Sequence, residues 1–298
     1  MRVSNFPVHA ALLAIGVSAS VGAPAFAQDD QRSAALARIG TAGIQSILIQ
    51  TMARDICLAE LGIDADANMA QFRAAKERFS AAHTNLKDGN AEAGLAPIEN
   101  AAIVEAWEDA DRRWTQLNEA YAAVDGTTPI EQKDFDEIIR GTGKLFKEYE
   151  TLIAEMRDDA VSGREVVDGA SAAGLVYYSR QAMLAARMTK EACQLVRGDW
   201  GDGPRFEMLG TEREFEEKLD FFLRGNPLHG VPSPATPEIQ ALLRDALDNW
   251  TTIKAQVIKT VDGGPLSQGE LVVLEGQLTL IEEKFGEVVE RFGEAAAN

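Results

Sequence analysis

The feature that most limits how this chain can fold is a repeat. Cys57 and Cys193, its only cysteines, lie 136 residues apart. The same offset joins Gln45 to Gln181, Met52 to Met188, Gly62 to Gly198, Phe79 to Phe215, Gly89-Asn90 to Gly225-Asn226, Trp114 to Trp250, Pro129 to Pro265 and Gln132 to Gln268. Coincidences at a single spacing, running from one end of a unit to the other, mark a tandem duplication. Matching side chains should therefore occupy matching places in two like units.

Each unit predicts four helices, because apolar residues recur at spacings of three and four. In the last helix of the first unit the stripe is Phe135, Ile138, Thr142, Leu145, Tyr149, Leu152 and Met156; its counterpart is Leu271, Leu274, Leu278, Ile281, Phe285, Val288 and Phe292. In the third helix Ile103, Trp107, Ala110, Trp114, Leu117 and Tyr121 are matched by Ile239, Leu243, Ala246, Trp250, Ile253 and Val257. Alternating threes and fours is the pattern of bundle packing. Breakers separate the stripes at Gly62, Asp88-Gly89-Asn90, Asp125 to Pro129, Gly198 to Pro204, Gly225-Asn226-Pro227 and Asp262 to Pro265. Short joints of this kind make neighbouring helices antiparallel, and no sustained alternation argues for strands. The expected fold is all-α: two tandem antiparallel four-helix bundles related by internal duplication, over residues 28–160 and 165–298. They join near Asp158 to Gly169, through either a loop or a helix continuous with its neighbours.

Residues 1–27 combine Arg2, an apolar run from Val8 to Val21 and an Ala25-Phe26-Ala27 end, the pattern of a secretory signal cleaved before Gln28. The mature protein is then expected to be exported, periplasmic and free of membrane spans, since no later apolar run approaches the length a span needs. Arg2 is the only formal charge lost with the leader, so −18 becomes −19 (28 − 47). Such a chain is not a general nucleic-acid binder, which needs clustered Lys and Arg. An anionic membrane surface is equally unsuited to it. Any anion site must be a local pocket of positive charge set against the overall field.

One stretch suggests such a pocket. Arg180 and Arg187 lie two turns apart, on nearly one face of a segment rich in Ala, Met and Leu, with Gln181 and Lys190 to either side. Arginine's rigid fork suits planar oxyanions. The same pair also suits a solvated face on which each arginine meets one of the chain's 47 acidic side chains. Trp107, Trp114 and Trp250 fall on the third-helix seams and are expected in the cores, whereas Trp200 stands in a Gly-rich joint, over a bundle end or on a contact surface. His9, His83 and His229 have no second His or Cys at ligand spacing, and Glu105, Glu108, Asp109 and Asp111 lack a Glu-x-x-His element, so no metal or cofactor is expected. The short enzymatic signatures are absent from the sequence, and an enzyme is not expected.

Residues Ser179 to Glu191, SRQAMLAARMTKE, resemble the first-helix motif G-R-Q-R-M-L-S-Q-R-M-A-K-E of the PilJ-type, or NarX-like, periplasmic sensory domain of type IV pilus chemoreceptors and nitrate/nitrite sensor kinases. Arg180, Gln181, Met183, Leu184, Arg187, Met188, Lys190 and Glu191 coincide with it. Unit one, GIQSILIQTMARD over Gly43 to Asp55, keeps Gly43, Gln45, Leu48, Gln50, Met52 and Ala53 but has Ile44, Ser46 and Thr51 in place of arginines. The resemblance implies four-helix bundles that bind a small nitrate-like or nitrite-like anion at the first helix across a dimer interface, with Arg180, Gln181, Arg187 and Lys190 as candidate ligands. The arginine that clasps nitrate in those sensors corresponds to Ala182 and Ser46, neither of which donates a guanidinium. Family members work between two membrane spans. A chain without spans would act through a membrane receptor or sensor kinase, or, as the alternative, serve as an adaptor in an envelope complex with no ligand. Cys57 and Cys193, at equivalent places in the two first helices, admit two states, a disulfide or two buried thiols. The bridge would form if the bundles packed first helix to first helix as a pseudo-dimer, mimicking the family's homodimer within one chain; a homodimer of whole chains is the other assembly to expect.

Overall fold

The computed structural model describes residues 25–125, 129–162, 167–198, 200–226, 231, 233–234 and 236–297. Apart from Ala25 to Ala27, the expected leader lies outside them. Among the described residues the chain is all-α, in the order α1 (Ala25–Glu60), α2 (Ala65–Asp88), α3 (Ala101–Val124), α4 (Gln132–Ser162), α5 (Gly169–Arg197), α6 (Gly203–Phe222), α7 (Pro237–Val261) and α8 (Gln268–Ala297). The apolar stripes of α3, α4, α7 and α8 are buried along their whole lengths. Each fully buried large side chain contributes about 1.5–3 kcal/mol of transfer free energy. In the first core Phe79 packs 4.4 Å from Trp114 and 5.4 Å from Tyr149. In the second, Phe215 lies 4.7 Å from Trp250 and 6.2 Å from Phe285. These are the same positions one repeat apart.

The turns repeat as well. Gly62 and Gly198 follow the first helices with φ of 72° and 85°, and Gly89 and Gly225 follow the second with 81° and 70°. At Gly89 and Gly225 side-chain space is also closed, since a Cβ would sit 2.7 Å from Pro97 and 2.6 Å from Ser233, themselves repeat mates. Each of these joints then makes one isolated bridge, Asn90 with Leu95 and Asn226 with Val231. Asn100 caps α3 by accepting from the Ala102 N–H, and its counterpart Thr236 caps α7 by accepting from Ile239.

The join between the units is a break in the helix. The Val167 N–H returns to the Ala160 carbonyl at 3.0 Å, and Asp168, in extended conformation, caps α5 through Ser171.

Within each unit the first helix packs on the second and fourth, but the most extensive contact in the molecule is between the first helices, α1 and α5. Three repeat-related pairs touch along it: Arg32 with Asp168 at 3.4 Å, Gly43 against Ser179, and Cys57 with Cys193. Their spacings of 11 and 14 residues are close to whole numbers of turns. Several self-matched contacts along one seam require α1 and α5 to run parallel and in register about a local two-fold axis. Reciprocal contacts at one end agree with this. Arg197 donates to Gln132 Oε1 at 2.9 Å, and their repeat mates Leu61 and Gln268 also meet, with the roles reversed: Gln268 donates to the carbonyl of Leu61. The molecule is a pseudo-dimer in a single chain.

Candidate functional site

The site is built on α5. From Ser179 to Gln194 every residue of this helix is buried except Arg180 and Arg187. A helix enclosed by α1, α6 and α8 has little solvent face. The two arginines therefore mark the gaps between its neighbours.

Arg180 is clasped by carboxylates from two units. Its Nε and Nη2 donate to Glu214 Oε1 and Oε2 at 2.7 and 3.0 Å, a bidentate pair, while Nη1 donates to Glu150 of α4. The guanidinium also lies 5.3 Å from the centre of the Phe146 ring. Burial works against its charge, yet the two carboxylates hold its pKa above the ordinary arginine value. Glu150 is the more exposed of the partners, at 44% against 29% for Glu214.

The other three candidates do not join it. Arg187 donates to Glu191 Oε1 at 2.7 Å, one turn along the same helix. Glu191 is fully enclosed, accepts from the Thr211 hydroxyl at 3.1 Å, and is pushed by burial above the usual carboxylate range. Lys190 is buried and donates to Gln50 Oε1 of α1 at 2.9 Å, and burial lowers its pKa. Gln181 lies wholly inside the second core with no partner for either amide atom, as does its counterpart Gln45 in the first.

Beside Arg180 is a cavity of about 120 Å³ at the meeting of α1, α4 and α5. Ser46, Ser179, Arg180, Arg157 and Glu150 supply its polar lining, and Phe146 and Ile153 part of its apolar lining. Ser46 and Ser179 spend their hydroxyl protons on the carbonyls of Gly43 and Leu175. Arg180 is the only one of the four candidate residues in its wall, which it shares with a second arginine, Arg157.

The cysteines are joined, with S–S 2.09 Å and a Cα separation of 6.2 Å, inside the range a bridge requires. Three turns from Gly43 and just before the bridge, a buried ionic group spans the units: Arg54 donates to Asp55 and to Glu282 of α8, and Glu282 accepts from Thr51. Burial raises Asp55 to about 6, against the lowering effect of Arg54. The duplication offered a signal for this group, since Arg54-Asp55 stands one repeat before Lys190-Glu191. Glu282 carried none, as its counterpart is Phe146.

Trp107, Trp114 and Trp250 are buried core residues, while Trp200 donates to Asp136 Oδ1 at 2.8 Å and lies 5.8 Å from Phe135, tying the second unit to the start of α4. His83 is stacked 4.6 Å from Trp107 and pairs with Tyr149 and Asp111. His229 lies outside the described residues. Among those residues no three His, Cys, Asp or Glu side chains are grouped to hold a metal ion, and no helix is long and apolar enough to cross a membrane. No protein-family model matches the sequence, and no curated protein matches it.

Proposed function

We propose that the protein is an exported sensory module of the PilJ/NarX-like kind, two units fused in one chain. It binds a small oxyanion at Arg180 and reports to a membrane receptor or sensor kinase. The observation that carries this reading is the position of Arg180, whose guanidinium lines a cavity of about 120 Å³ against the seam where the two first helices meet. A seam between paired units is where a bound ligand can bias their relative packing, because its contacts differ between arrangements of the two. A nitrate-sized anion would take the Nη1 donor now held by Glu150, which swings outward as the more exposed carboxylate, while Glu214 keeps its bidentate grip. Arg187, Gln181 and Lys190 then serve packing and charge neutralisation rather than ligand contact.

The test is a thermal-shift titration of the full chain with nitrate, nitrite and small carboxylates. Glu150→Gln is expected to strengthen the anion response about tenfold, the effect of relieving one competing carboxylate; Arg180→Lys should weaken it and Arg180→Ala abolish it. A response indifferent to both positions would remove the site. A second reading, an adaptor without a ligand, is favoured by the fact that Arg180 already holds two carboxylates. It predicts no saturable response to any anion and a stable protein partner on co-purification.

A further inference from the structure

The local two-fold axis that relates α1 to α5 carries part of the wall beside Arg180 onto the wall of a second cavity. This cavity, of about 550 Å³, lies between α1, α5 and α8. Five of its lining residues are repeat mates of residues around the first: Gly40 for Val176, Ile44 for Arg180, Val289 for Ile153, Glu290 for Ala154 and Gly293 for Arg157. The two cavities therefore overlap across the axis, and the shared part of the wall has diverged in a consistent direction. In the second cavity both arginines are gone and two bulky side chains have become glycine. Volume rises more than fourfold, from about 120 to about 550 Å³, and the wall becomes apolar through Leu36, Ala37, Ile44, Leu175 and Val289.

We propose that this second cavity is a binding site for a small amphiphile with an apolar body and a neutral or cationic head. The volume is that of a site for a small organic molecule, and an apolar wall with few polar groups is the usual lining of such sites. Charge decides the head group. Glu290 stands exposed at the rim, Ile44 replaces the guanidinium that would attract a carboxylate, and the chain as a whole carries −18. An anionic amphiphile such as a fatty acid is repelled there, while an amine finds complementary charge. The two cavities, sharing part of a wall by descent, then divide by chemistry: a small anion at one and an apolar molecule at the other.

The glycines make the proposal testable without disturbing the fold. A Cβ at Gly40 or Gly293 would meet Leu175 Cδ2 at 3.9 or 3.6 Å, ordinary contact distances, so a larger side chain grows into the cavity. The experiment is fluorescence titration of the full chain with the neutral probe N-phenyl-1-naphthylamine, then displacement by decylamine, decanol and decanoate below their aggregation limits. Saturable binding is expected, with decylamine and decanol displacing the probe and decanoate weaker than either by about tenfold or more. Gly293→Leu, and independently Gly40→Val, which copies Val176 of the other unit, should weaken probe binding by about tenfold while helicity and melting temperature are retained. Glu290→Gln should weaken decylamine and leave decanol unchanged. Arg180→Ala should leave all three unchanged, so a failed anion site does not count against this one. The proposal is overturned by absence of saturable binding, by binding that survives both glycine substitutions, or by a signal that tracks self-association and vanishes on dilution, which would give the cavity to a second copy of the chain.

Discussion

Gly43 and Ser179 occupy the same position in the two units and meet on the axis between them. A Cβ at Gly43 would stand 2.7 Å from the Ser179 Cβ, so only one of the pair can carry a side chain. Gly43→Ser alone is expected to force α1 from α5 and lower stability by about 1–3 kcal/mol, the usual penalty of overpacking. Adding Ser179→Gly exchanges the two residues across the axis and should restore most of the loss, as measured by urea unfolding of the singles and the double. Asp55 gives a residue-scale prediction of another kind. Its folded pKa is raised to about 6 from 3.8, so the native state holds the proton more tightly than the unfolded chain. The stabilisation from that proton is complete below the unfolded value and is lost as pH rises from about 4 through 6. Relative to Asp55→Asn, the native protein should lose up to about 3 kcal/mol over this window, following 1.36 kcal/mol per unit. Equal slopes for both proteins would show that Asp55 titrates as an ordinary surface carboxylate.

The elements differ in how much of their role could be read from the chain. Helices α3, α4, α7 and α8 each bury one face, and their stripes named the buried residues in advance, because a one-sided helix imposes its 3.6-residue period on the sequence. Helices α1 and α5 are enclosed on most sides, so burial along their central turns is not confined to one face. That is why Arg180 and Arg187 looked like one stripe, whereas the fold sends them to separate acidic partners. The two cysteines were legible as equivalent, and their joining followed only from parallel, in-register packing of these helices. In the chain-entropy account a bridge closing 136 residues stabilises by about 5 kcal/mol, and measured values commonly fall at 2–4. Replacing both cysteines by serine should lower unfolding free energy by about 2–5 kcal/mol with helicity preserved at 25 °C. A change below about 0.5 kcal/mol would mean that α1 and α5 are held by their side-chain packing alone.

For the whole molecule, the duplication has turned what would be a symmetric dimer into a single chain whose halves are free to diverge. The repeat mates Arg180 and Ile44, and Arg157 and Gly293, show where they have done so. A half-molecule comprising 167–297 would expose the face of α5 that α1 covers, and is expected to dimerise through it, linked by Cys193 under oxidising conditions. Light scattering should give twice the monomer mass; a stable monomer would mean the seam is too weak to act as an interface. The sequence by itself determined the helices, their boundaries at glycine and proline, and the equivalence of the two units, because periodicity, turn chemistry and duplication are properties of the order of residues along the chain. The tertiary structure decided which helices lie at the centre, which carboxylates reach Arg180 from 30 and 34 residues away, and that of two cavities overlapping across the axis one is charged and small and the other apolar and large. Charge pairing and enclosed volume depend on distances in space between helices far apart in the chain, and no local pattern records those distances.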